Sequence, residues 1–267
     1  MIEILALAAL ILVAGWFVLP FVLRRFGEAR LARLCKAQKA IVLSYDDGPG
    51  PSLTQALLDL LDGRGVATFF VLGRRAEAEG DTVARAISEG HEVASHSFHH
   101  TNAWKVGPLR AARDLAAGIR TVRGLGGNAN LYRPPYGKQT LATLIDASLR
   151  HQRSGWWTID TNDTKASHAR RAADDILAQI VRQGGGVVLM HDFDKSPAPD
   201  DSIPHGDYVI SLTTRIIEFA GQNGYRLMRL GDVLNTRQDR SQIAAQGRTQ
   251  AQTRAQTRAQ TQGDAPE

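Results

Sequence analysis

Cysteine is nearly missing from this chain. The lone Cys35 among 267 residues excludes an internal disulfide framework and a thiolate zinc knuckle, so any metal must rest on histidine and carboxylate. Several catalytic signatures are missing as well. No Gly-x-Ser-x-Gly elbow occurs, which leaves a serine hydrolase without its nucleophile motif. His91-Glu92 does not complete a zincin motif with His96, because the second histidine falls one residue late. The triple glycine at 184–186 follows a helical pattern and precedes a strand, the reverse of the order in a phosphate loop. The net charge is +5, but the arginines gather after the first apolar run and in the C-terminal tail. The central region has no basic stripe with interleaved aromatics, so no nucleic-acid partner is expected.

A long uncharged run is present at residues 4–23, with Trp16 and Phe17 inside it and Pro20 near its end. That length suits a helix crossing a bilayer, so residues 1–25 read as a transmembrane anchor. A cleaved signal peptide would show a basic start, a shorter apolar core and a small-residue cleavage site; here Glu3 precedes the run and Arg24-Arg25 follow it. Arg24, Arg25, Arg30, Arg33, Lys36 and Lys39 all lie after the span, which predicts a cytoplasmic domain, with an outward-facing one as the alternative. Residues 26–38 read as a basic juxtamembrane segment, compatible with a helix on anionic headgroups. At the other end, residues 237–267 are dominated by Gln, Thr, Arg and Ala and cannot bury a core; they read as a disordered basic tail.

Between these, residues 39–236 alternate strand and helix patterns. Strands are expected at 41–46, 67–72, 92–94, 130–133, 155–159, 187–190 and 225–230. Helices are expected from 52 to the Gly63-Arg64-Gly65 stop, and at 82–89, 109–122, 141–149, 169–182 and 210–222. Repeated alternation with right-handed crossovers predicts a barrel-like parallel α/β fold.

The first strand carries the strongest chemical signal. Ile41-Val42-Leu43-Ser44-Tyr45 delivers two adjacent carboxylates, Asp46 and Asp47, to a turn at Gly48-Pro49. Carboxyl ends of parallel strands are where ligands bind, and two neighbouring carboxylates call for a cation beside them. His96 and His100, four apart after a short strand, would share a cation if they form one helical turn. With Asp47 they make a site of two histidines and one carboxylate, suited to zinc or another divalent ion acting as a Lewis acid.

Five ordered motifs together resemble the polysaccharide deacetylase family, carbohydrate esterase family four. They are Ser44-Tyr45-Asp46-Asp47-Gly48-Pro49, His96-Ser97-Phe98-His99-His100, Arg133-Pro134-Pro135-Tyr136-Gly137, Asp160-Thr161-Asn162-Asp163 and Leu189-Met190-His191-Asp192. The resemblance covers roughly residues 39–234. It implies a distorted (β/α) barrel with about seven strands, here preceded by one transmembrane helix. It also implies removal of N-acetyl groups from amino sugars in a glycan, chitooligosaccharide or lipid-linked sugar, by attack of metal-bound water on the acetamide carbonyl. On that reading Asp47, His96 and His100 hold the metal, most readily zinc. Asp46 is the general base, held by Arg133, and the Tyr136 backbone N–H helps stabilise the oxyanion. His191 protonates the leaving amine, oriented by Asp163 or Asp160.

The sequence departs from the family pattern in two places. Tyr45 stands where Phe is common, and Thr164 stands where a Trp usually follows the aspartate, so one wall of the sugar groove is missing. Trp156 and Trp157 are the residues that could replace it as an aromatic platform, or they are core. Two rival readings keep the same residues: hydrolysis of another small amide or formamido sugar, and a membrane-tethered carbohydrate-binding relative without activity.

Overall fold

The computed structural model describes residues 1, 3, 13–196 and 201–235. Residues 2 and 4–12 of the expected anchor and all of the expected tail, 237–267, lie outside the described residues. Among the described residues no helix is long and apolar enough to cross a membrane.

A parallel sheet organises the domain. Its strands are β1 (Ala40–Asp46), β2 (Ala67–Val71), β3 (Glu92–Ser95), β4 (Leu131–Tyr132), β5 (Arg153–Ser154), β6 (Ile159–Asp160), β7 (Gly186–His191) and β8 (Arg226–Leu227). They run in the order β5-β4-β3-β2-β1-β7-β6, with β8 beside the start of β1 and every pair parallel. The seven strands on that path form a curled half-barrel rather than a closed one. Helices α1 (Leu19–Gln38), α2 (Leu53–Leu61), α3 (Gly73–Ala78), α4 (Gly80–Ser88), α5 (Pro108–Gly124), α6 (Leu141–Leu149), α7 (Ala173–Gln183) and α8 (His205–Asn223) complete it.

β1 explains itself by being buried on both faces, which is why its sequence is a continuous apolar run rather than an alternating one. Ile41, Leu43 and Tyr45 face the outer helices, in one core with Leu57 and Leu58 of α2, Ile180 of α7 and Ile216 of α8. Ala40 and Val42 face inward, against Phe70, Ala94, Leu131, Trp156 and Val187. Continuing that inner alternation, Ser44 and Asp46 come next on the same face. Asp46 therefore ends the strand inside the curl, opposite His191 of β7 in register.

The inner core is closed by α1, and this changes the reading of residues 26–38. That stretch is the latter part of α1, and Leu31 and Cys35 are buried in the inner core beside Trp156 and Leu230. Burial pushes the Cys35 thiol up to about 12, so it is an inert packing group. Its basic residues Arg30, Arg33 and Lys36 are exposed, as is Phe26, while Leu31 and Cys35 belong to the domain.

Two expected strands are shorter than the pattern suggested. The strand expected at 155–159 falls in the gap between β5 and β6, with only Ile159 in a strand; there Arg133 takes the carbonyls of Gly155 (2.7 Å) and Trp156 (3.3 Å). The strand expected at 225–230 is β8 alone, followed by a helical stretch at 230–235 that carries Leu230 and Val233 into the inner core. Helix α3 was not legible, since its six residues are too short for a period to show.

Candidate active site

Asp46, Asp47, His96, His100, Tyr136, Trp157 and His191 line one cavity of about 480 Å³ at the carboxyl ends of the strands. The fold therefore brings together residues that are up to 145 positions apart in the chain, from Asp46 to His191.

Asp47 leaves the strand in a left-handed conformation (φ 71°), one that Asp tolerates better than most residues. Arg75 Nη1 fixes its carbonyl at 2.7 Å. Its Oδ1 lies 3.1 Å from His100 Nε2 and 3.4 Å from His96 Nε2. The histidines do not sit on a helical turn, as their spacing suggested. They lie in a loop after β3 in which Ser97 and His100 both have positive φ, 68° and 62°. The loop is held from outside by Asp114 of α5, whose carboxylate accepts from the His99 and Thr101 amides at 2.9 and 3.1 Å. Gly118 lets α5 come that close, since a β carbon there would overlap the Ser97 backbone. Asp114 and Gly118 carry no motif, and nothing in the sequence singled them out.

These three groups fit a cation. Among the described residues Asp47, His96 and His100 are the cluster whose ligand atoms all lie within 4.8 Å of one another. The Arg133 carbonyl takes His96 Nδ1 at 2.8 Å, which leaves the Nε2 lone pair turned toward Asp47. Burial, which outweighs the attraction of Asp47, lowers His96 to about 3 and also lowers His100, so both rings are neutral ligands at pH 7. Asp47 Oδ1 is buried with no hydrogen-bond donor. A buried carboxylate oxygen facing two unprotonated ring nitrogens is a cation site by its chemistry.

Two further clusters flank these residues. Asp46 is buried and receives Arg133 Nη1 at 2.7 Å, while the same nitrogen donates to Ser44 Oγ at 3.0 Å. Arg133 is wholly buried, its guanidinium lying 4.0 Å from the centre of the Phe70 ring. Burial raises the Asp46 pKa above the usual carboxylate range, and the Arg133 charge opposes that rise.

In the other cluster, His191 Nδ1 lies 3.0 Å from Asp163 Oδ1, leaving Nε2 free toward the cavity. Asp163 is a hub: its Oδ2 also accepts from the His191 amide at 2.8 Å and lies 3.1 Å from His205 Nε2. Thr161 Oγ1 completes the set at 3.1 Å. Burial alone would lower His191, but the Asp163 charge and hydrogen bond, with Asp46 and Asp47 behind them, raise it to about 9. Of the two expected partners, Asp163 is the one at His191. Asp160 is exposed at the cavity rim, where its carboxylate caps the Asn162 amide at 2.9 Å. His205 was missed because it begins a helix with no motif around it.

The tryptophans divide. Trp156 is 6% exposed and belongs to the inner core, whereas Trp157 lines the cavity. Tyr136 reaches into solvent beside His100, with ring centroids 4.4 Å apart and φ of 58° at its own Cα. Thr164 lies at the cavity wall, with no aromatic at that position.

A partly buried Asp-His-His cluster, an arginine-held carboxylate and a carboxylate-held histidine thus meet at one end of a half-barrel. By comparison with known proteins the chain belongs to the polysaccharide deacetylase family, whose model matches residues 33–152. A chitooligosaccharide deacetylase of Rhizobium leguminosarum bv. phaseoli is 32% identical over 171 residues, which is 62% of this chain and 72% of that protein. The peptidoglycan-N-acetylmuramic acid deacetylase PdaC of Bacillus subtilis is 29% identical over 208 residues, or 76% of this chain. Against that relative the match spans only 40% of its length. The solved structure of B. subtilis PdaC superposes with a TM-score of 0.61 at 26% identity, covering 80% of this chain and 98% of that one.

Proposed function

We propose that this chain is a metal-dependent N-deacetylase of N-acetylated amino sugars. The observation that carries the reading is the convergence, in one cavity, of the unpartnered Asp47 carboxylate with two neutral histidines, a base candidate and an acid candidate. The deacetylase names of the relatives support the same class of reaction.

Asp47, His96 and His100 would hold a divalent cation, with zinc the best match to the donor set; when bound it supplies a Lewis acid and an acidified water. Asp46 removes the proton from the attacking water, and Arg133 keeps that carboxylate ionised and aimed despite its burial. The Tyr136 amide donates to the oxygen of the tetrahedral carbon. His191, protonated by virtue of Asp163, gives its Nε2 proton to the departing nitrogen as the C–N bond breaks. Acetate and a free amine leave, and no covalent enzyme intermediate forms.

Room for more than one sugar unit supports an oligomeric or conjugated substrate. A second cavity of about 560 Å³ lies alongside, lined by Arg24, Arg25 and Arg171 and sharing Trp157, Asp160 and Asn162 with the first. The uncharged run at residues 4–23 and the basic residues after it support a membrane-tethered protein with a cytoplasmic domain. Pro20 and Phe21 of α1 share a small cavity with Tyr136 and Lys138, so this end of the apolar run lies against the domain near the site. A cytoplasmic domain would meet a lipid-linked sugar or chitooligosaccharide, and an outward-facing one peptidoglycan or exopolysaccharide.

The test is acetate release by the full chain from chitooligosaccharides and from a lipid-linked N-acetyl sugar, with and without chelator. Release that chelator and Asp46→Asn both abolish is expected. Release that survives either treatment sinks the mechanism.

A further inference from the structure

We propose that Arg24, on α1, is a positioning residue for the turn at Tyr136 and Gly137, which makes the N-terminal helix a working part of the active site. The inference rests on the assignment of the Tyr136 amide as oxyanion donor. Arg24 lies ahead of the residues that the family model matches, 33–152, and none of the five motifs falls on α1.

The turn is one that needs holding. Tyr136 and Gly137 are consecutive residues in the left-handed region, with φ of 58° and 61°, and for Tyr that conformation is unfavourable. Two short-range bonds close it, the Gly137 amide to Pro134 O (2.9 Å) and the Lys138 amide to Pro135 O (3.0 Å). Pro134 and Pro135 contribute no amide donors of their own. From outside the turn, Arg24 Nη1 donates to Gly137 O at 2.7 Å.

Arg24 is itself locked. Its side chain is 22% exposed, Glu28 Oε1 accepts from its Nε at 2.7 Å, and its guanidinium lies 4.6 Å from the Trp157 ring centre and 5.1 Å from that of Trp156. A β carbon on Gly137 would run into both Arg24 Nη1 and Trp157, so the turn is seated directly between them. Trp157 is in turn flanked by Arg133, whose guanidinium lies 5.5 Å from the same ring and which holds Asp46. One packed series thus runs from the carboxylate through Arg133, Trp157 and Arg24 to the turn. A planar, two-sided donor is needed in that slot, and arginine meets the requirement where lysine meets it only in part.

The experiment compares Arg24→Met, which keeps the aliphatic stem, and Arg24→Lys with wild type and Asp46→Asn, all in the zinc-loaded full chain. Hydrogen exchange at the Gly137 and Lys138 amides, thermal unfolding, and kcat and KM on tetra-N-acetylchitotetraose are measured. Arg24→Met is expected to speed exchange at those two amides about tenfold and to lower kcat about 10- to 100-fold, the scale of a ~1 Å misplacement. KM should stay within about twofold and Arg24→Lys should recover part of kcat. Wild-type exchange at the turn in both Arg24 variants overturns the proposal, as does wild-type kcat in Arg24→Met where release depends on Asp46. If wild type releases no acetate from this sugar, the deacetylase reading fails for it, and turn exchange alone decides the role of Arg24.

Discussion

Asp46 and Asp163 are two buried carboxylates on either side of His191, one ending β1 and the other in the loop after β6, and their surroundings drive them in opposite directions. Burial raises both. For Asp46 it wins, because the one strong partner, Arg133, is itself desolvated and the remaining positive neighbours are more distant. For Asp163 it loses: the His191 charge, hydrogen bonds from His191 and His205, and the His205 charge hold it well below the usual carboxylate range. A base that can accept a proton and a carboxylate that never does are thus made from the same residue type. Environments that push two titratable groups apart are how one site comes to hold both an acid and a base.

The comparison can be broken most severely at Asp46. Asp46→Asn keeps the shape and an acceptor for Arg133 but removes the base, and acetate release should fall by about 10²- to 10⁴-fold. Arg133→Ala breaks the same pair from the other side and leaves a buried carboxylate without its cation. Denaturant unfolding should show a loss of about 3–5 kcal/mol.

Asp163→Asn tests the acid side. In wild type, release requires protonated His191, so activity should fall as pH rises through about 9; a cation at Asp47 opposes the proton and draws that limb lower. In Asp163→Asn the limb should move toward the ordinary histidine value of about 6.5. The sign for stability follows from the raised folded pKa: the His191 contribution is complete below about 6.5 and disappears as pH rises through about 9. The stability gap between wild type and Asp163→Asn should therefore be larger at pH 6 than at pH 10. A gap independent of pH would show that Asp163 acts as a hydrogen-bond hub alone.

The mildest perturbation is His205→Ala, which removes one of the partners of Asp163. It should cost about 1 kcal/mol in unfolding and leave the alkaline limb near its wild-type position. A large downward shift of the limb would mean that His205, not the His191 contact itself, sets the acid.

Much of the site was legible because the strand ends carry their chemistry in short, contiguous motifs. Asp46-Asp47, the spaced histidines, Arg133 and His191 all lie within two residues of a strand terminus or in the loop directly after one, where a periodic pattern stops and a polar group begins. The residues that escaped are those that act on the motifs from elsewhere. Asp114 and Gly118 hold the histidine loop from a helix face, His205 reaches Asp163 across 42 positions, and Arg24 reaches Gly137 across 113. The choice between Asp160 and Asp163 was open for the same reason. Three residues apart, Asp160 ends β6 with its side chain at the exposed rim while Asp163 turns inward onto His191, and spacing does not encode that.

The sequence by itself determined the alternation of strand and helix, the two-sided burial of β1 and the identity of the groups at its end. These follow from local periodicity and from residue chemistry, which every chain copy carries whatever its environment. The tertiary structure decided that residues 26–38 close the inner core rather than lie apart, and that Trp156 is core while Trp157 faces the site. It also decided which carboxylate takes up protons and which holds one on a neighbour. Burial and partner count set those outcomes, and both exist only once distant segments have packed together.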